Sequence, residues 1–274
     1  MARWWLPVLV LLAGSLTACG EEVLVQPVPD GVVVDIDQSR VLRKTRLVFL
    51  RVHNDTDRNL TVASFRLTSP RFETVIWTGP EDVGAGYEAD LEFDMPRGGC
   101  GEGIDAQVTI DYSIGDQRLR STLRPDDVYG AATLFLDRDC AELTLAEAAD
   151  LTLGDVAVSG VGRDAVLSLP IRVTPTGDRD DVVLRGFDST VLFAQADGSD
   201  DQLELPVTGD PIDLVMKIIP ARCDPHALGE DKVGTLIPVQ VRAPGLPDNS
   251  SFYLQIGAER RSAMFGFFRR YCGL

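Results

Sequence analysis

From Thr45 to His53 the chain reads TRLVFLRVH, and from Asp105 to Ile114 DAQVTIDYSI, with apolar and polar residues in alternate positions. A period of two turns one side of an extended segment toward a core and the other toward water, so both stretches predict strands. DAVLSLPIRV (164–173) and VGTLIPVQV (233–241) repeat the pattern, and Gly115-Asp116 marks a turn. Segments of five to ten residues divided by Asp, Gly, Pro and Asn clusters predict antiparallel strands in packed sheets. Helix is sparse. CAELTLAEAADL (140–151) has the alanine and glutamate content of a short linker helix. The C-terminal run MFGFFRRYC (264–272) reads as a strand whose Phe265, Phe267, Phe268 and Tyr271 are too many for one inward face.

The pattern occurs twice. LVFLRVHNDTDRNLTVASFRL (47–67) lies over SLPIRVTPTGDRDDVVLRGFD (168–188) without a gap, placing Arg51-Val52 on Arg172-Val173 and Asp57-Arg58 on Asp178-Arg179 at an offset of 121. MPRGGC ending at Cys100 matches IPARC ending at Cys223, and LDRDC ending at Cys140 matches FRRYC ending at Cys272, with offsets of 123 and 132 that imply insertions in the second copy. The fold expected is all-β: two tandem immunoglobulin-like antiparallel β-sandwich domains, over 31–142 and 143–274. The likeness is one of architecture, because Trp77 precedes both cysteines of its copy and the Cys, Trp, Cys order of antibody domains is missing.

Four cysteines besides Cys19 allow three pairings. Treating both copies alike selects Cys100 with Cys140 and Cys223 with Cys272, one disulfide per domain, each worth about 4 kcal/mol by loop entropy. No Cys-x-x-Cys motif is present, which removes thiol redox chemistry and structural zinc.

The chain begins MARWWLPVLVLLAGSLTACGEE: Arg3, an apolar run from Trp4 to Ala13 too brief to span a bilayer, then small residues up to Cys19. LTAC (16–19) resembles the lipobox of bacterial lipoproteins. The resemblance implies a signal peptide over 1–18 that is removed, lipidation of Cys19, and a tether over 19–30 holding the protein on the outer face of the cell membrane. Scarce lysine and asparagine, together with the repeat, resemble exported lipoproteins of high-G+C Gram-positive bacteria. Acyl chains contribute about 0.8 kcal/mol per buried methylene, and two together anchor stably.

Charge narrows the partners. Asp and Glu number 42 against 26 Lys and Arg, for a net charge of -16, so nucleic acid is not expected, because phosphate backbones need a basic surface. The two histidines, His53 and His226, fall in different copies at non-equivalent positions, which speaks against a shared catalytic or metal site. Asp55-x-Asp57-x-Asn59 starts like an EF-hand, but Leu60 and Arg66 stand where that loop needs glycine and glutamate, so a polar hairpin connection is expected. The acidic loops GDRDD (177–181) and DGSDDQLE (197–204) read as solvated, with a weak calcium ion the alternative. GGCGEG (98–103) leads into a strand and so lacks the helix N-terminus of a phosphate loop. No catalytic motif, cofactor or metal site is expected, and Asp126-Asp127 point to opposite faces of a strand.

The densest group of reactive residue types is ARCDPHALGEDKVGT (221–235). With Cys223 in a disulfide, Asp224-Pro225 starts a capped helical turn that Gly229 ends. As the main loop that the second copy has and the first lacks, it offers His226, Glu230, Asp231 and Lys232 as partner contacts. The function read from the sequence is a non-catalytic binding or scaffold lipoprotein with an envelope protein or cell-wall partner. The alternatives are a lipid-anchored enzyme acting on cell-wall glycan, which would need Asp224 and Glu230 to converge, and a solute-binding lipoprotein, which the shortage of helices disfavours.

Overall fold

A strand with one apolar side needs a second sheet to cover it, and the chain builds two such pairs of sheets. The structure, a computed structural model, describes residues 23–39, 42, 45–224 and 234–274. In the first unit β1 (Leu24–Val25), β4 (Leu60–Ser69), β5 (Phe72–Val83), β7 (Gln107–Ile114) and β8 (Gln117–Leu123) form a sheet of order β1-β8-β7-β4-β5. It is covered by β2 (Val32–Asp37), β3 (Leu47–Asn54) and β6 (Tyr87–Asp94), of order β2-β3-β6. In the second unit β9 (Ala149–Leu153), β10 (Ala157–Ser159), β11 (Val166–Pro175), β13 (Phe193–Gln195) and β15 (Ile212–Pro220) form one sheet, with β9 and β10 both on β11. The other sheet is β12 (Val183–Phe187), β14 (Gln202–Pro206), β16 (Pro238–Arg242) and β17 (Ser251–Tyr253), of order β14-β12-β16-β17. The fold is all-β, an immunoglobulin-like pair of antiparallel sandwiches with two disulfides.

The repeated sequence occupies the same places in both units. β3 and β11 each lie between an early strand and a late one, β2 and β6 in one case and β9 and β15 in the other. β4 and β12 likewise each lie between two strands, β5 and β7 or β14 and β16, with β8 and β17 beyond. A helix ends each unit: α1 (Ala131–Ala148) and α2 (Gly257–Cys272). Cys100 joins Cys140 on α1 and Cys223 joins Cys272 on α2, so each bridge ties a helix to the chain that leaves β6 or β15.

Three expectations need correction. The C-terminal run is not a strand but the end of α2: Met264, Phe267 and Phe268 are buried and Tyr271 packs beside them, a spacing of three, one and three that is the helical period. The linker helix begins nine residues before 140. The Asp127 carboxylate accepts the amides of Ala132 (3.2 Å) and Thr133 (2.8 Å), capping the free helix end from a position left of the predicted segment. Residues 55–59 do not close a hairpin, because β3 and β4 lie in opposite sheets. There the buried Asn54 amide nitrogen donates to the carbonyls of Arg58 (2.8 Å), Val83 (2.9 Å) and Gly84 (3.1 Å), holding the crossing loop to the start of the next turn.

α1 serves both units. Ala132, Phe135 and Leu136 pack in the first core, while Ala141, Leu145 and Ala148 pack in the second, and β9 starts at the next residue. The expected boundary at 142–143 lies inside this helix. Two arginines bind it to the first sandwich. Arg46 grips Asp139 through two hydrogen bonds (3.0 and 2.8 Å) and donates to the carbonyls of Met95 and Pro96 (both 2.7 Å). Arg71, 4% exposed, donates to Asp137 and to the carbonyls of Gly99 and Gly103. Gly98 is needed for the approach, since a Cβ there would lie 2.4 Å from Leu136 Cδ2, and its amide donates to Asp139. The glycine-rich stretch at 98–103 thus seats a helix. On the far side Arg138 of α1 stacks over Tyr253 of β17 at 4.4 Å.

Trp77, against Phe65 in the first sandwich, is the one tryptophan after residue 5. Leu145→Ala empties a site in the second core and should cost about 2–5 kcal/mol. If α1 couples the cores, the denaturation midpoint read by Trp77 fluorescence falls in this variant; an unchanged midpoint means that the sandwiches unfold independently.

Candidate functional site

The outer face of the β2-β3-β6 sheet follows from its register. Val48, Leu50 and Val52 point into the core, so Leu47, Phe49, Arg51 and His53 lie on the other side of the sheet, where Phe49 is nevertheless buried, with Arg51 over its ring. Their partners on β6 are Asp94, Glu92, Asp90 and Glu88, and those of Phe49 and Arg51 on β2 are Asp37 and Asp35. Strand periodicity therefore lays, among the described residues, six carboxylates on one face against one arginine and one histidine.

The two basic groups are held by part of that charge. Arg51 Nε donates to Asp90 Oδ1 at 2.6 Å and Nη2 to Oδ2 at 2.9 Å, with its guanidinium 4.9 Å from the Phe49 ring and Glu88 3.6 Å away. The hydrogen bonds to Asp90 push the Arg51 pKa above its already high range; partial burial opposes this, and the charges of Asp90, Glu88 and Asp37 add to it. His53 lies between Asp35 (Nε2 to Oδ2, 2.8 Å) and Glu88 (Nδ1 to Oε2, 3.1 Å). Glu92 and Asp94 extend the row beyond these pairs. The second unit keeps the core of the device: Arg172, the repeat counterpart of Arg51, pairs with Asp213 on β15 at 2.9 Å. It lacks the rest of the acidic row, so the acidic face belongs to the first unit. The signal was present in sequence as carboxylates at 88, 90, 92 and 94 and at 35 and 37, a period of two in acid rather than in apolar residues.

Cys19, His226, Glu230, Asp231 and Lys232 lie outside the described residues. Elsewhere several carboxylates are matched by arginines. In the acidic loops Asp181 pairs with Arg179, while Glu204 takes Arg185 and Arg242. Both carboxyls are held below their ordinary range, first by those arginine hydrogen bonds. Asp200 accepts the Val215 amide at 2.7 Å. Among the described residues no three His, Cys, Asp or Glu side chains are grouped to hold a metal ion. A groove of about 230 Å³ between the units is lined by Arg46, Arg97, Arg138 and Arg261, but Asp139 and Glu142 pair with the first two. The disulfides fit an oxidising, extracytoplasmic compartment, and no helix among the described residues is long and apolar enough to cross a membrane.

No protein-family model matches the chain, and no curated protein matches it. Among solved structures, 84% of the chain aligns with red sea bream transglutaminase at 12% identity and a TM-score of 0.27. For an exo-chitosanase of Amycolatopsis orientalis the figures are 81%, 15% and 0.20, and for the BSP domain of a biofilm-associated protein 89%, 9% and 0.21. The chain spans 32% of the transglutaminase, 26% of the chitosanase and 60% of the BSP domain chain. Likenesses of this strength carry nothing about activity.

Removing Arg51 takes from the acidic row the arginine paired with Asp90. Arg51→Gln should lose about 1 kcal/mol at low salt, more than Arg172→Gln, and concentrated salt should restore much of the loss by screening. Equal, salt-independent losses in the two variants, read by urea denaturation, would show that the row exerts no collective repulsion.

Proposed function

We propose that this chain is an extracytoplasmic lipoprotein, held to the outer face of the cell membrane through a lipidated Cys19, with a non-catalytic binding or scaffold role at the envelope. The observation that carries the binding role is the acidic face. Arg51 and His53 hold Asp90 and Glu88, and Glu92 and Asp94 continue the same line of carboxylates along an edge strand. Such a row attracts a basic partner and repels anionic wall polymers. The partner class supported is therefore a protein with a basic segment. The lipid anchor rests on the residues from Arg3 to Cys19.

A photo-crosslinking residue at Val33, which faces outward opposite His53, tests both parts in intact cells. One discrete adduct should form at the membrane. It should disappear in about 1 M salt, where the screening length is near 3 Å, and in a Glu92→Lys, Asp94→Lys variant. Cys19→Ser should release the protein from the membrane fraction. An adduct indifferent to salt and to both lysines would remove the acidic face from the proposal, and membrane retention of Cys19→Ser would remove the anchor.

A further inference from the structure

The opposite face of the first sandwich has a different character. By the same register argument, the outer side of the β1-β8-β7-β4-β5 sheet carries Arg118 and Arg120 of β8, Arg66 of β4 and, one step past the end of β8, Arg124. The carboxylates there are Asp82, which accepts from Thr61 at 2.6 Å, and Asp111, which Arg120 holds at 2.6 and 2.9 Å. Those bonds keep the Asp111 carboxyl below its ordinary range, against the effect of its partial burial. Among the described residues this face carries four arginines and two carboxylates by register, in a chain of net charge -16. Apolar residues stand among them: Val25, 78% exposed, is the register partner of Arg120, and Ile76, 60% exposed, that of Arg66.

The chain enters from this side. Leu24 and Val25 pair in parallel with β8, the Gln26 amide donates to the Arg120 carbonyl at 3.0 Å, and Ser121 Oγ donates to the Gln26 carbonyl at 2.8 Å. Leu24 and Val25 of the expected tether are thus a short strand fixed to the sheet. Val23 lines a hollow with Thr61, Ser64, Asp111, Arg118 and Arg120 on the outer face. Only three residues separate Cys19 from Val23, four backbone steps with a reach of at most about 14 Å even fully extended.

We infer that this arginine and valine-isoleucine face rests on the membrane itself, its arginines on anionic lipid headgroups, and that the acidic face is thereby turned outward. The inference depends on the lipid anchor proposed above. Charge complementarity favours it: each basic side chain near an anionic surface contributes about 1 kcal/mol. Salt screens beyond about 8 Å and packed sheets lie about 10 Å apart, so the face nearest the bilayer decides the sign of the interaction. Exposed Val25 and Ile76 suit the apolar side of the headgroup layer.

The test uses the lipidated full chain on vesicles of phosphatidylcholine, with and without phosphatidylglycerol, carrying a nitroxide on the lipid headgroup. Flotation with the vesicles, lost in Cys19→Ser, reads the anchor alone. A fluorophore attached at Ile76→Cys should be quenched several-fold more than one at Val33→Cys, and more strongly on the anionic vesicles. Arg66→Glu with Arg118→Glu should abolish that difference while flotation persists. Equal quenching at the two positions in a chain that floats overturns the docked face and leaves the anchor standing. Failure of the unmodified chain to float overturns the anchor and the docked face together.

Discussion

Phe135 and Leu136 on one turn of α1, and Leu145 and Ala148 farther along it, are claimed by different hydrophobic cores. A helix divided in this way cannot tilt or slide without exposing apolar surface at one end, so each sandwich fixes the other through it. The Cys100–Cys140 bridge, the Asp139 clamp of Arg46 and the buried Arg71 all act on the same stretch of α1. The stretch between 98 and 103, with the glycine pattern of a ligand loop, is shaped by the need to lie close under that helix.

Surface charge separates the two copies where topology does not. Both place an arginine on the repeated strand, β3 or β11, and pair it with an aspartate across the ladder, Arg51 with Asp90 and Arg172 with Asp213. Around the second pair the neighbouring carboxylates were not multiplied; around the first they were, by Glu88, Glu92, Asp94, Asp35 and Asp37. Single exposed ion pairs contribute little stability, and a surplus of like charge costs some. The first copy therefore retains an arrangement that folding alone does not reward. Its two outer faces end with opposite balances of charge.

Much of the architecture was legible in the sequence because period-two alternation is a direct image of one-sided burial. β3, β7 and β11 were recognisable from their own residues, and the repeat then supplied the cysteine pairing that spacing alone leaves open. The helices were harder. In α2 the buried Met264, Phe267 and Phe268 are interleaved with the partly exposed Phe265, which blurs the helical period in so aromatic a run. The start of α1 was hidden because its cap, Asp127, reads with Asp126 as part of a strand. The acidic face is not visible in the apolar alternation, because on β6 the carboxylates carry the period of two at least as clearly as the apolar residues do. The basic face could not be assembled from sequence at all, since Arg66 and Arg120 become neighbours only through the register of β4, β7 and β8.

The passage from α1 to β9 without an intervening loop has a mechanical side. A linker between sandwiches would act as a swivel and let the outer unit sample a cone of directions; a helix shared by both cores makes the pair a single lever. For a chain fastened at Cys19, a pull on the second unit would arrive at the membrane end as torque on the β1-β8 edge. The molecule would then hold whatever it carries at a set height and heading from the bilayer, as a bracket does, where a flexible leash would let it drift.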